Sequence, residues 1–472
     1  MLFDSWQFLL VFLPACLIVF FLLKKFTSQR AVFLQLVGFS LAFYAWWEPS
    51  LLFLLISSIL FNFLIGKHVV GNKFLATVAI GVNLSALFFF KYTNFVTQTL
   101  FGFGFAVEPT NIILPLAISF FTFQQIAYIV DSYKGEVREH DFLSYCLFVT
   151  FFPQLIAGPI VHHKEMMPQF LAGIRVTRSS LTFGAFLFGI GLFKKVILAD
   201  GIAQYANPIF DAADSGFAIS SLEAWGGALA YTFQLYFDFS GYADMAIGLG
   251  ALFGIILPIN FNSPYKSLGI IDFWRRWHIT LGNFLRDYLY IPLGGNRKSK
   301  NRKMLNLFMT MFLGGIWHGA GWNFMVWGAL HGSYLCINHL WLTTNLHIRF
   351  KASMVYKFSS WILTFVCVVI AWVFFRAASF DGAIQILYSM LTMQKNSGLE
   401  SPEVFTLHGW IWLIMLAIIA FFFPNSRALA TYVTKLDGST RYVAYGAFIT
   451  LFAFITLISS TSEYNEFIYF NF

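Results

Sequence analysis

Two stretches gather ionisable side chains inside a chain that is otherwise apolar. DFWRRWHITLGNFLRDYLYIPLGGNR runs from Asp272 to Arg297, and GGIWHGAGWNFMVWGALHG runs from Gly314 to Gly332. Together they hold Arg275, Arg276, His278, Arg286, Asp287, Arg297, His318 and His331. Ionisable groups near lipid are costly, so their presence there marks a functional site by default. His318 is the sharpest case. From Met304 at an inner boundary, about 14 residues of helix rise ~21 Å, against a hydrocarbon core ~30 Å thick. His318 is therefore expected at membrane depth. Gly314, Gly315, Gly319 and Gly321 around it suggest close backbone approach or a helix break that admits substrate. Trp317 and Trp322 are expected to wall it. A neutral imidazole can take a proton from a hydroxyl and pass it on. The competing reading is a packed histidine that donates one hydrogen bond to a neighbouring helix.

The other candidates are ranked behind it. His278 follows Trp277 in a segment with Trp274, Trp277, Leu281, Phe284 and Leu285 at helical spacing, which predicts a helix with one apolar face. Arg275 and Arg276 in that segment suit an anionic, phosphate-bearing donor, and equally suit an interfacial anchor that snorkels. His331 lies on the following span and either faces the same cavity as His318 or packs in the core. Asp238, with Ser240 and Asp244, supports a cavity or caps a helix beginning near Tyr242. His162, His163 and Glu165 lack the i, i+4 ligand spacing of a helical metal site and read as a loop. No metal site is expected. There is no G-x-S-x-G elbow and no G-x-x-x-x-G-K-[ST] loop, so neither a serine hydrolase nor an ATP-driven pump is indicated.

The elements that must position these residues follow from composition. Of 472 residues, 58% are hydrophobic and 11% charged, where a soluble domain carries about 25% charged. Repeated apolar runs predict an all-α polytopic membrane protein, 1–472 as one integral-membrane domain with its motif-dense core at 151–332. Apolar segments are read at Trp6–Leu23, Val32–Trp47, Leu51–Ile65, Phe74–Phe90, Leu114–Val130, Met304–Gly319, Trp322–Leu340, Phe358–Phe375, Trp410–Phe423 and Tyr442–Ile458. Between them, Phe142–Pro159 is broken by Pro153, Gly158 and Pro159. Leu181–Leu198 carries Lys194 and Lys195 near its end. Trp225–Phe237 and Met245–Leu257 are expected to flank a polar turn, Asp238–Asp244, with re-entrant segments in this middle region. The total is roughly 11 to 14 spans. The net charge of +8 records topology, since Lys and Arg collect in cytoplasmic loops. The run Arg297, Lys298, Lys300, Arg302 and Lys303 is the strongest inside mark, and both termini are expected outside. The first span is expected to be uncleaved, because Lys24 and Lys25 follow it. Nucleic-acid binding is not expected. Cys16, Cys146, Cys336 and Cys367 show no C-x-x-C spacing and read as small core hydrophobes.

QLYFDFSGYADMAIGLGALFG, LPINFNSPY, FWRRWHITLGNFLRDYLYIPLGGNR and GGIWHGAGWNFMVWGALHG together resemble the membrane-bound O-acyltransferase family, as does FFPQLIAGPI at Phe151–Ile160. Within it they resemble the bacterial alginate and peptidoglycan O-acetyltransferases. The resemblance implies a funnel-like helical fold with a thin central partition. It also implies an essential histidine in the WHG motif, which falls on His318, and a second polar position, which falls on His278. Arg275, Arg276, Trp317, Trp274, Asp238 and His331 are the candidate substrate-binding residues. The branch implies no tightly bound cofactor. Its acyl donor is acetyl-CoA on the cytoplasmic side, its acceptor a cell-surface polysaccharide, and its partner an extracytoplasmic O-acetyltransferase. The implied location is the bacterial cytoplasmic membrane. A sister branch moves D-alanine from a carrier protein towards teichoic acid. Outside the family, a transporter or a non-catalytic scaffold remains open, and neither needs the Gly-Trp-His-Gly arrangement.

Overall fold

The computed structural model describes residues 1–137, 141–156, 158–297, 299–392, 405–461 and 468. The described residues form helices joined by turns, with no strand among them. They belong to the membrane-protein class that the apolar runs predict. Among the described residues, six helices are long and apolar enough to cross a membrane, and a seventh joins them if Leu407–Phe422 and Ser426–Thr434 count as one span. That criterion falls short of the expected 11 to 14. Several expected spans are too short for it: Gln29–Ala45 has 17 residues, Ile118–Tyr133 has 16 and Phe142–Thr150 has 9. The segment Phe74–Phe90 was expected to end well before Gly102, but the helix continues from Lys73 to Gly102.

Backbone contacts resolve two compact units. The first holds Met1–Leu192, Tyr242–Ile259 and Ser426–Tyr464. Its interior is aromatic: Phe43 and Phe152 have ring centres 5.4 Å apart, and Phe3 lies 5.6 Å from Phe43. One pair of buried amides there satisfies itself. The Asn62 and Asn83 amides exchange two hydrogen bonds of 3.1 and 2.7 Å, which removes the cost of burying them. As expected, the helix from Phe142 breaks: it ends at Thr150 and a short turn follows at Phe152–Leu155. His162, His163 and Glu165 are not a loop. His162 caps the helix His163–Ala172 in a reciprocal capping box with Glu165, so the carboxylate satisfies an orphan backbone donor. The His163 ring packs against Tyr128 and Phe148.

The second unit holds Phe193–Gly241, Asn260–Asn425 and Asn465–Phe472, and with them every leading candidate. Its helices are numbered here as α1 (Arg178–Asp214, in this unit from Phe193), α2 (Ser221–Leu252, to Gly241), α3 (Ile270–Trp274), α4 (Ile279–Leu285), α5 (Lys300–His318), α6 (Trp322–Trp341) and α7 (Met354–Arg376). The polar turn expected at Asp238–Asp244 does not exist, because α2 runs through it without a break. Asp238 therefore does not support a cap near Tyr242. Its charge is met inside the unit by a lysine, which lets an apolar helix carry it. Within α1, Lys194–Ala199 forms a π-helical turn that sets both lysines in the interior, the kind of bulge often found at functional sites.

Helices α5 and α6 pack by close backbone approach. A Cβ added at Gly315 would meet the Phe324 carbonyl oxygen at 2.4 Å, and one at Gly328 would meet the Met311 carbonyl oxygen at 2.8 Å. Small residues at such a crossing let two helices touch along their backbones. Of the two expectations for these glycines, close backbone approach holds at Gly315, which seats one helix on the other, and Gly319 lies under the Phe324 ring.

Candidate functional site

His278 sits where the expected amphipathic helix fails to form. The segment splits into α3 and α4, and His278 between them has φ +43°. A left-handed non-glycine residue costs of order 1–3 kcal/mol and persists where the surroundings over-determine it, often at functional sites. Here the surroundings are supplied by Asn260. Its carbonyl accepts from Ile279 N at 3.0 Å, and its side-chain Oδ1 accepts from Thr280 N at 3.3 Å and Thr280 Oγ1 at 2.9 Å. His278 Nδ1 lies 3.0 Å from the same Oδ1. The Thr280 backbone can only donate, which identifies Oδ1 as the amide oxygen. His278 Nδ1 must then carry the proton, so Nε2 bears the lone pair of the neutral ring. The imidazole is fully buried, edge-on to Phe239 at 4.8 Å.

His318 is the last residue of α5. The helix stops there because Gly319 turns to extended backbone. The ring is 4% exposed and enclosed by aromatic groups: Trp327 at 4.8 Å, Trp317 at 5.0 Å and Phe375 at 5.3 Å. Trp317 is buried, whereas Trp322 is half exposed. The wall comes from Trp327, one turn into α6, and from Phe375 on α7.

His331 is fully buried and joins His318 through a single indole. Trp327 lies 4.8 Å from each of the two imidazoles. Trp274 Nε1 donates to His331 Nδ1 at 3.2 Å. The structure thus brings His318, His331 and Trp274 into one cluster. A path of rings ties His278 to that cluster through Phe239, Phe261, Trp277 and Trp372.

The arginines differ from each other. Arg275 is exposed, whereas Arg276 Nε is held 2.9 Å from Asp272 one turn earlier, both side chains about one-third exposed. Lys195 and Asp200 were not singled out by the sequence. Lys195 Nζ lies 3.0 Å from Asp238 Oδ1 and 2.8 Å from Asp200 Oδ1, with the Lys195 and Asp238 side chains 3% and 1% exposed. Asp238 Oδ2 also accepts from the Ile468 backbone at 3.0 Å. The signal was present as two lysines near the end of an apolar run, but nothing in the sequence assigns them a partner. Asn260 was missed as well, because a single asparagine in a turn-rich stretch carries no pattern.

The whole of this cluster up to Phe375 falls within residues 116–380, which match the sequence profile of MBOAT, the membrane-bound O-acyltransferase family. The chain belongs to that family. It is 44% identical to a peptidoglycan O-acetyltransferase of Helicobacter pylori, over 83% of this chain and 80% of the relative. It is 39% identical, over the full length of both, to the Pseudomonas putida protein named "Probable alginate O-acetylase AlgI". A teichoic acid D-alanyltransferase of Streptococcus thermophilus is 31% identical over 50% of this chain and 60% of its own length.

Proposed function

We propose that this membrane O-acyltransferase moves acetyl groups from acetyl-CoA on the cytoplasmic side to hydroxyls of a cell-surface polysaccharide such as alginate, another exopolysaccharide or peptidoglycan. The observation that carries this is His318, an imidazole buried at the broken end of an apolar helix inside an aromatic wall. In such a site the acceptor hydroxyl oxygen attacks the acetyl carbonyl carbon while its proton passes to His318. The new C–O bond forms, the C–S bond breaks, and the imidazolium returns the proton to the departing thiolate. His278, with its lone pair fixed on Nε2, supports the thioester or the acceptor.

Exposed Arg275, with Arg276 beside it, supports capture of the anionic donor. Trp317 and Trp274 shape the binding wall, and Asp238 supports it from α2. The basic run at Lys300, Arg302 and Lys303 supports a cytoplasmic face there; Lys298 of the same run lies outside the described residues. On this reading both termini lie on the outer side of a bacterial cytoplasmic membrane. D-alanyl transfer is the second reading. The relatives named for acetyl transfer support the first, since they span four-fifths or more of both chains while the D-alanyl relative spans half of this one.

Inverted vesicles given radiolabelled acetyl-CoA test the proposal. Label is expected in a trapped luminal polysaccharide. Label appearing there only from a D-alanyl carrier protein, or from neither donor, would overturn it.

A further inference from the structure

Helix α3 is docked on α6 at two points along one face. Asn338 Oδ1 accepts from the Ile271 backbone at 3.1 Å, and His331 Nδ1 accepts from Trp274 Nε1 at 3.2 Å. Positions 331 and 338 share a face of α6, as do 271 and 274 on α3. The indole N–H can only donate. His331 Nδ1 is therefore bare, and the neutral ring carries its proton on Nε2. This is the opposite tautomer from His278, whose proton sits on Nδ1.

The proton-bearing Nε2 of His331 has no hydrogen-bond partner among the described residues, although the side chain is fully buried. One turn earlier on the same face, Trp327 is 1% exposed, and its Nε1–H also has no partner among them. The two rings lie 4.8 Å apart, and Trp327 is in turn 4.8 Å from His318. A buried donor left without an acceptor costs about 1–3 kcal/mol. Two on one helix face, one ring against the candidate base and the other one ring further on, are explained if a ligand supplies the acceptor.

We propose that His331 Nε2–H and Trp327 Nε1–H form a two-donor site for the carbonyl oxygen of the acyl thioester. The inference rests on the acyl-transfer reading above and deepens it. As the hydroxyl oxygen adds to the carbonyl carbon, the carbonyl electron pair moves onto its oxygen, and the two N–H groups hold that negative charge. When the C–S bond breaks the pair returns to the carbonyl and the thiolate leaves with the proton held by His318. Fixed donors in a site that excludes water stabilise such a charge without reorganisation. Trp274 serves as a positioning residue, because its hydrogen bond keeps the proton on the working nitrogen.

The test uses the purified full-length protein in liposomes, with acetyl-CoA labelled with ¹³C at the carbonyl and alginate or peptidoglycan fragments as acceptor. Turnover and the infrared band of the bound carbonyl are read together. Trp327→Phe keeps the ring and removes the N–H; His331→Leu removes the other donor; His331→Gln retains both a donor and an acceptor. Trp327→Phe and His331→Leu are expected to lower kcat by about 10²–10³-fold with little change in KM, and to raise the carbonyl frequency. His331→Gln is expected to recover most of both. Wild-type kcat and an unmoved band in a folded Trp327→Phe or His331→Leu protein would overturn the inference and leave packing as their role. If His331→Leu does not fold, Trp327→Phe decides. No acetyl transfer in the wild type with either acceptor would overturn the function, and this inference with it.

Discussion

The buried Lys195–Asp238 pair predicts an asymmetric response to substitution. Lys195 Nζ meets two carboxylates, at 3.0 Å and 2.8 Å. At an effective dielectric constant of about 20, a contact near 3 Å is worth roughly 5 kcal/mol of attraction, and the desolvation of both ions offsets most of it. The net value of the pair is small, but the cost of breaking it is not. Lys195→Met strands a carboxylate that is 1% exposed and is expected to cost about 3–5 kcal/mol. Asp238→Asn is milder, at about 1–3 kcal/mol, because Lys195 keeps Asp200 and the Ile468 N–H keeps an acceptor. Combining Lys195→Met with Asp238→Asn removes both buried charges, keeps an acceptor for the Ile468 N–H and leaves Asp200, 21% exposed and open to hydration. That double variant is expected to recover most of the loss. Thermal unfolding in detergent can be followed with a thiol-reactive dye, since Cys16 is buried and Cys146, Cys336 and Cys367 are partly so. The reasoning is refuted if Asp238→Asn destabilises as much as Lys195→Met, or if the double variant is no more stable than Lys195→Met alone.

His318→Ala is expected to reduce acetyl transfer by about 10²–10⁴-fold, and His318→Gln nearly as much, because an amide takes no proton near neutral pH. A folded Gln variant with wild-type turnover would leave His318 only a packing role. Gly328→Ala places a Cβ 2.8 Å from the Met311 carbonyl and is expected to cost about 1–3 kcal/mol by forcing α5 and α6 apart; an unchanged melting temperature would show that the crossing is loose. Replacing Arg275 and Arg276 together by Gln is expected to raise the donor KM more than it lowers folded yield. The reverse pattern, measured by steady-state kinetics against fluorescence-detected gel filtration, would make them anchors alone.

The sequence by itself determined the class of the molecule. Its apolar runs, long enough for lipid and poor in charge, leave helices as the means of satisfying the backbone. It also determined which residues stand out, because an ionisable group in such a run is visible without a structure. His318 and His331 were found this way, and both lie in one buried cluster. What it could not determine was what meets those groups. Asp238 and Lys195 are distant in the chain, so one half of a buried ion pair read as a polar turn, and α2 was wrongly broken. The glycines around His318 read as close approach or as an opening, and only the packing of Phe324 and Gly328 of α6 against them decides for close approach. The left-handed bend at His278 goes against local helical spacing and exists only because Asn260 collects four hydrogen-bonding groups there. The proton positions on His278 and His331 are set by single partners, Asn260 and Trp274, across turns of chain. Local pattern fixes which side chains are costly to bury, whereas only packing between distant segments decides how each cost is met.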